Sequence, residues 1–270
     1  APMSAFTTDF DPAPASKSDT IQVPYVPAAS AAADFSGTYT RQDSTLNKRT
    51  ITLNKHKFVS WYLSDVAIAK SPAVTLERFG MQKGFQLAKA VFQDVLSAVT
   101  LANYGAAAHT GLAANFDYAD IVDIKDACDT ADMPEMPRSL VLGSSYYNAL
   151  LKDSVIKDAA ALGATANQTG SLPNLSGFMT YRSSLVPANA QNLVGFAAYP
   201  SALITAMRYL QPSGRSQDGV YRPVADESTG ITLGYREFYD NDKGEVVAVL
   251  ECFYGYALGE ASALKRIVSA

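Results

Sequence analysis

The sequence predicts an α+β fold, and three observations lead there. Apolar residues recur three and four apart between Thr75 and Asn103, which marks one long helix. Two long strands, 229–239 and 245–256, flank the turn-rich stretch DNDKGE, where Gly244 is available for a positive φ. Residues 1–36 show neither period. Pro2, Pro12, Pro14, Pro24 and Pro27 sit there among Ala, Ser and Asp, so this part reads as an extended arm with little helix or sheet of its own. An arm of that kind needs another surface to hold it.

The elements follow in order. Across 37–63, β-branched and aromatic residues alternate with polar ones (Thr38, Thr40; Thr50, Thr52; Phe58, Ser60, Tyr62), which predicts a two-stranded excursion wetted on at least one face. Five basic side chains, Arg41, Lys48, Arg49, Lys55 and Lys57, lie here with one acid, Asp43. A lone hairpin is marginal in water, so this one is expected to rest on something. Ser71 and Pro72 suit the N-cap and first position of the helix. Leu76, Phe79, Met81, Phe85, Ala88, Phe92, Val95, Leu96 and Val99 supply its apolar positions, and Asn103 with Gly105 would close it. From Thr75 to Asn103 such a helix is about 43 Å long at 1.5 Å per residue, a length suited to a spine across a flat subunit.

The next segment, NFDYADIVDIKDACDTADMPEMP, carries Asp117, Asp120, Asp123, Asp126, Asp129 and Asp132 at every third place. Three-residue steps fan these carboxylates around a helix, whereas calcium needs them converging on one point. A solvated helix face is the better reading. Leu140–Leu142 then reads as a buried strand, and Ser144 or Ser145 caps a helix carrying Tyr147, Leu150 and Leu151. Residues 170–187 read as turn, strand, turn. NLVGFAAY (192–199) reads as a strand, and Pro200 is expected to open a helix with Leu203, Ile204, Met207 and Leu210 inward. The closing ALKRIVSA reads as a last strand.

Composition bounds the function. The chain has 270 residues, 48% of them hydrophobic, enough for a real core. Charged residues make up only 18%, against roughly 25% in an average soluble protein, which suits an exterior that meets protein as well as water. The net charge of −4 and pI of 5.2 argue against a dedicated nucleic-acid reader. No stretch reaches the roughly 18 consecutive apolar residues of a membrane span, and the first residues show no leader pattern. Initiator-Met removal or proteolytic trimming would each account for the start at Ala1. Cys128 and Cys252 are too few and too far apart for a disulfide framework or zinc cluster.

Catalytic patterns are missing. His56 and His109 have no metal-ligand spacing, and no phosphate-cradling glycine motif or nucleophile elbow occurs, so no cofactor or metal is expected. Carboxylates such as Asp65, Glu77 and Glu251 could still pair in space, which keeps a hydrolase with scattered carboxylates as one alternative.

The order of parts, with four local motifs, resembles the HK97-like fold of tailed-phage major capsid proteins. The motifs are ITLNKHKFVSWYLSDVAIAKS before the helix, PRSLVLGSSYYNALLKD, GFAAYPSALITAMRYLQP, and TGITLGYREFYDNDKGEVVAVLECFYG at the hairpin. The resemblance covers about residues 37–270. It implies an N-terminal arm at 1–36 and an E-loop-like β excursion at 37–70. A P-domain would comprise 71–111 and 216–256, and an A-domain 112–215 and 257–270. It further implies a structural protein, not an enzyme, that self-assembles as pentamers and hexamers into an icosahedral virion capsid around double-stranded DNA. Assembly would take place in the host bacterial cytoplasm with a scaffolding protein, a portal and a decoration protein.

On this reading Arg41, Lys48, Arg49, Lys55 and Lys57 are candidates for contact with an acidic neighbouring subunit. Arg78, Lys83 and Lys89 on the long helix are candidates for non-specific contact with packaged DNA. Some relatives crosslink neighbours through a Lys–Asn isopeptide bond, and Lys48, Lys55 and Lys57 lie where such a lysine would be. An encapsulin-like nanocompartment shell is the first alternative, and a tail or decoration component is another.

Overall fold

The structure is a computed structural model. It describes residues 2–9, 20–25, 34–39, 47–70, 76–158, 170–172, 174–208, 210, 219–226 and 229–270. In chain order the strands and helices are β1 (Thr7–Asp9), β2 (Thr20–Tyr25), β3 (Asn47–Thr52), β4 (Lys55–Ser64), α1 (Asp65–Lys70), α2 (Leu76–Leu96), α3 (Leu101–Tyr104), β5 (His109–Thr110), α4 (Tyr118–Asp129), β6 (Arg138–Leu142), α5 (Ser144–Lys152), α6 (Ser154–Asp158), β7 (Phe178–Arg182), β8 (Leu193–Ala198), β9 (Leu203–Arg208), β10 (Val220–Ala225), β11 (Thr232–Asp240), β12 (Glu245–Leu258) and β13 (Leu264–Val268).

The first sheet is built on β12. β4 pairs antiparallel with residues 245–254 along one edge. The other edge is shared: β11 takes 245–251 and β9 takes 253–258. β1 extends β9 and β10 extends β11. The expected hairpin is present, with Gly244 at φ 62° in its turn. α2 crosses one face of this sheet. Leu87, Ala88, Val91, Phe92, Val95 and Leu96 enter a core with Trp61, Leu250, Cys252 and Tyr254. Gly80 and Gly84, four apart and so on one helix side, let α2 approach Trp61 and Leu250 closely. The second sheet runs β5-β13-β8-β6-β7 and packs under α4 and α5 around Ile121, Ile124, Cys128, Leu140, Tyr147 and Phe178.

Four expectations are corrected. The described parts of the arm at 2–9 and 20–25 form strands held by their own subunit. Phe6 is fully buried, edge-on to Phe92 (5.6 Å) and Phe196 (5.3 Å), β1 pairs with β9, and β2 pairs with β3. Both arm strands are completed by residues far away in sequence, so local periodicity does not reveal them.

Among the described residues, β3 and β4 of the basic excursion are not the two arms of one hairpin. β3 pairs with β2 and β4 with β12, and neither pairs with the other. The β2–β3 ribbon lies across the sheet face opposite α2, burying Val23, Ile51 and Leu53 on Ile204 and Ala206. Gly255 makes this possible, because a Cβ there would stand 2.2 Å from the Thr52 carbonyl oxygen.

The long helix is shorter than expected. α2 runs 21 residues, about 31 Å at 1.5 Å per residue, and stops at Leu96. Ser97 Oγ donates to the Asp94 carbonyl (2.6 Å), and Asn189 Nδ2 donates to the Leu96 (2.8 Å) and Val99 (2.9 Å) carbonyls, which ends the helical ladder. Gly105, at φ 73°, closes the short α3 instead. The expected start at Thr75 lies outside the described residues.

Finally, Pro200 opens one 3₁₀ turn, Pro200–Ala202, and the segment behind it is strand β9, not a helix. Leu203, Ile204, Thr205 and Ala206 are all buried, because β1, β12 and the β2–β3 ribbon enclose them from several sides. A helix would have left one of those faces in water. β9 comes from the segment 112–215, yet it joins the sheet of the 216–256 hairpin, as does β4 from 37–70. Strand pairing therefore crosses both of those expected divisions.

Gly255→Ala is expected to lower the stability of purified subunits by about 2 kcal/mol, since backbone and not a pliable side chain blocks the added methyl. Gly84→Ala, whose Cβ would meet Leu250 Cδ1 at 3.5 Å, is expected to be neutral or to stabilise by up to about 1 kcal/mol. Urea unfolding midpoints of the two variants check both.

Candidate interaction surface

Burial alternates along β4. Trp61 and Leu63 point to the α2 side, while His56, Phe58, Ser60 and Tyr62 point to the other face and are exposed. Phe58 and Tyr62 keep 63% and 65% of their surface in water, well above what a covered sheet face allows. Cross-strand register places Val249 and Val247 of β12 and Arg236 and Phe238 of β11 on that same face. The β2–β3 ribbon covers the face from Phe253 onward and does not reach the part from Glu245 to Val249. Beyond it, β10 is exposed or half-exposed at every residue, on both faces. The subunit thus carries a half-covered apolar sheet face with an uncovered strand at its margin.

A charged cluster sits where the ribbon ends. Glu251 is buried in β12, accepts from Arg236 Nη2 (2.5 Å) and lies 3.1 Å from His56 Nε2. Arg236 Nε and Arg208 Nη2 are buried without a hydrogen-bond partner. Register puts Arg208 opposite Phe253, whose ring lies 6.3 Å from His56, so both arginines share this face. The sequence offers one signal for this cluster: Glu251 is a lone acid inside the apolar run VVAVLECFYGY, and a buried carboxylate needs a cation.

The predicted basic residues have separate settings. Lys48 is exposed on the ribbon. Arg49 Nη1 donates to the Leu258 carbonyl (2.9 Å), and Lys57 Nζ donates to the Ala90 carbonyl (3.3 Å). Lys55 Nζ donates to Asp94 Oδ2 (2.8 Å) and to Tyr256 Oη (3.0 Å). Tyr254 Oη donates to the same Asp94 oxygen (2.7 Å). Three of the five therefore fasten the root of the excursion to α2 and β12. Arg41 lies outside the described residues. Lys83 and Lys89 are half-buried on α2; Arg78 lies on the same helix, and its side chain is outside the described set.

Burial pushes Asp94 upward, but the hydrogen bonds from Lys55 and Tyr254 and the charges of Lys55 and Lys57 outweigh it and leave its pKa below the ordinary 3.8. Burial likewise pulls Lys55 down, and the bonds to Asp94 and Tyr256 reverse this and raise it above 10.5.

The same geometry bears on catalysis. Asp65 hydrogen-bonds Tyr239 Oη (2.5 Å) just past the Ser64–Glu245 end of the β4 ladder, while Glu251 lies opposite Phe58, six positions away. They form no pair, and the Glu77 side chain is outside the described set. An open hollow of about 720 Å³ lies beside α5. Its two acids are occupied: Asp117 caps α4, and Asp153 accepts from the Tyr118 and Val155 N–H groups. Burial raises the Cys128 thiol to about 11 and the Cys252 thiol to about 12, which suppresses the nucleophilic thiolate. His109 faces Asp120 (3.4 Å) with Nε2 buried and unpartnered. No group of three or more metal-ligating side chains occurs among the described residues.

Comparison with known proteins yields a fold. No family model matches the chain, and no curated protein matches it. Among solved structures, the capsid structure of cyanophage P-SCSP1u superposes with a TM-score of 0.67 at 14% identity, covering 98% of this chain and 86% of that one. The chain has the HK97-like fold. A Mycobacterium phage Che8 structure gives 0.62 at 14% identity, covering 93% and 85%, and the mature capsid of bacteriophage PhiM1 gives 0.61 at 12%, covering 99% and 86%. The matches cover 93–99% of this chain, so they extend over nearly its whole length.

Asp94→Asn tests the Lys55 anchor. A carboxylate held below its unfolded pKa stabilises the fold above that value and loses the contribution as pH falls through the folded one; a lysine held above 10.5 contributes below that value and loses it above. Lys55 is about one-third exposed, so screening limits the pair to about 1 kcal/mol or less. Urea unfolding of wild type and Asp94→Asn is expected to show a gap that persists from about pH 5 to about pH 10 and narrows outside both limits.

Proposed function

We propose that this chain is the major capsid protein of a tailed double-stranded DNA phage, self-assembling as pentamers and hexamers into an icosahedral shell. The observation that carries the reading is the half-open sheet face: Phe58, Tyr62, Val247 and Phe238 lie on a fold shared end to end with phage capsid structures, and this chain's own ribbon covers only the other half. Exposed apolar patches of this kind mark protein contact. Repeating one contact around a ring lets the uncovered face of each copy be covered by the next, and heterologous contacts that close give rings.

The charges are divided between two tasks in this reading. Lys48 reaches the neighbouring copy, whereas Arg49, Lys55 and Lys57 fix the direction in which the excursion leaves its own subunit. A scaffolding protein, a portal and a decoration protein are the partners such a shell takes, with double-stranded DNA inside it. The subunit has no catalytic task. An encapsulin-like shell of the same fold would hold protein cargo instead.

Negative-stain microscopy of the expressed protein tests the proposal. Closed shells or capsomer rings are expected from the wild type, and Phe58→Asp with Tyr62→Asp should yield folded, unassembled subunits, since both side chains are already in water in the single copy. A wild type that stays monomeric while supplied with its co-expressed partners would contradict the reading. Shells filled with protein and no DNA during infection would favour the encapsulin alternative.

A further inference from the structure

One cation on the outer face of the first sheet lacks a counter-charge. Register sets Arg208 in a cross-strand row with Phe253 and His56. Arg236 stands two rows nearer the hairpin turn, beside Val249. Glu251 occupies the row between them, where Gly234 adds no side chain. Glu251 is already engaged: it accepts from Arg236 Nη2 (2.5 Å) and lies 3.1 Å from His56 Nε2. Among the described residues the Arg208 guanidinium forms no hydrogen bond and no ion pair, and its Nη2 is enclosed without an acceptor. Two arginines thus share a face with one carboxylate. With His56 neutral, one positive charge is left over.

The place of that charge gives it meaning. Arg208 is half-buried, so in a single copy part of its hydration survives. Rows of a sheet face stand about 7 Å apart along a strand, two residues at about 3.4 Å each. The apolar surface around Phe58 therefore begins one row from Arg208, just beyond the margin of the β2–β3 ribbon. A neighbour that covers Phe58 and Tyr62 also strips water from Arg208. An arginine cannot shed its proton to escape, and a desolvated charge without a partner costs several kcal/mol. Moving Glu251 to Arg208 would only strand Arg236. The incoming surface must bring the counter-charge itself. One carboxylate balances the single surplus charge, and the chain, with 26 acids to 22 bases, has carboxylates to spare.

We infer that Arg208 is the docking point for a carboxylate of a second copy of this chain, received where the ribbon ends and the uncovered face begins. The inference rests on the shell reading and deepens it: apolar cover supplies the area of the contact, and Arg208 fixes its register, since charge pairs across an interface set orientation.

The test uses the full chain with its co-expressed partners and reads the protein concentration at which shells form. Arg208→Gln is expected to raise that concentration at least about tenfold, the loss that follows when one member of a buried charge pair is removed from an interface. Far-UV circular dichroism and the urea midpoint of unassembled Arg208→Gln subunits should match wild type, because the single copy loses no side-chain hydrogen bond. Arg208→Lys keeps the charge and introduces a primary amine. In shells of that variant built from mixed isotope-labelled and unlabelled subunits, a water-soluble carbodiimide should join this amine to an Asp or Glu of a different copy, read by mass spectrometry as a peptide pair of mixed label. Arg208→Gln shells that form at the wild-type concentration or below it would mean a stranded charge relieved, not a partner lost, and would overturn the inference. A crosslink confined to one copy, or none at position 208, would overturn it as well. Each of those results leaves shells in place and the shell reading with them; a wild type that forms no shells removes both.

Discussion

Strand β12 is the constraint on which the other layers depend. Both of its edges are hydrogen-bonded over most of its 14 residues, by β4 on one side and by β11 and β9 in succession on the other. Its α2 face supplies Ala248, Leu250, Cys252 and Tyr254 to the main core. Its opposite face is covered only in its second half, where Gly255 lets the ribbon backbone come within contact distance. Moving the ribbon would expose Val23, Ile51 and Leu53. A single copy therefore satisfies the backbone of its central sheet while leaving apolar surface on it.

Charge placement follows from the same strand. Lys55 and Lys57 begin β4 and reach back to Asp94 and Ala90 on α2, so they stiffen the junction between sheet, helix and excursion. Glu251, one turn of the pleat before the ribbon, is neutralised by Arg236 from β11 and approached by His56 from β4. A buried ion pair of this kind adds little net stability compared with an apolar pair, yet it fixes which strands lie side by side. Among the described residues, the basic side chains that look like one patch in the sequence thus divide into three internal anchors, Arg49, Lys55 and Lys57, and one exposed lysine, Lys48.

Much of the fold was legible in the sequence where the signal is local. The β11–β12 hairpin announces itself by its turn, α2 by its apolar spacing, and β6, β8 and β13 by short apolar runs. What was not legible was completed from a distance. β1 and β2 become strands only through β9 and β3, and nothing near Thr7 or Thr20 signals those partners. Leu203–Arg208 follows a proline that suits a helix start, and only enclosure by β1, β12 and the ribbon makes it a strand. The end of α2 depends on Asn189, more than 90 residues away. The interaction surface was half legible: the alternation Phe58, Ser60, Tyr62 predicts a wetted face, but not that this face is the uncovered half of a sheet whose other half the arm protects.

The most direct test of the central idea, that identical copies cover what one copy leaves open, is hydroxyl-radical footprinting of Phe58 and Tyr62 in purified subunits and in assembled particles. Both side chains should oxidise readily in the subunit, where nearly two-thirds of each is in water, and become strongly protected in the particle. Equal oxidation rates in the two states would contradict the account.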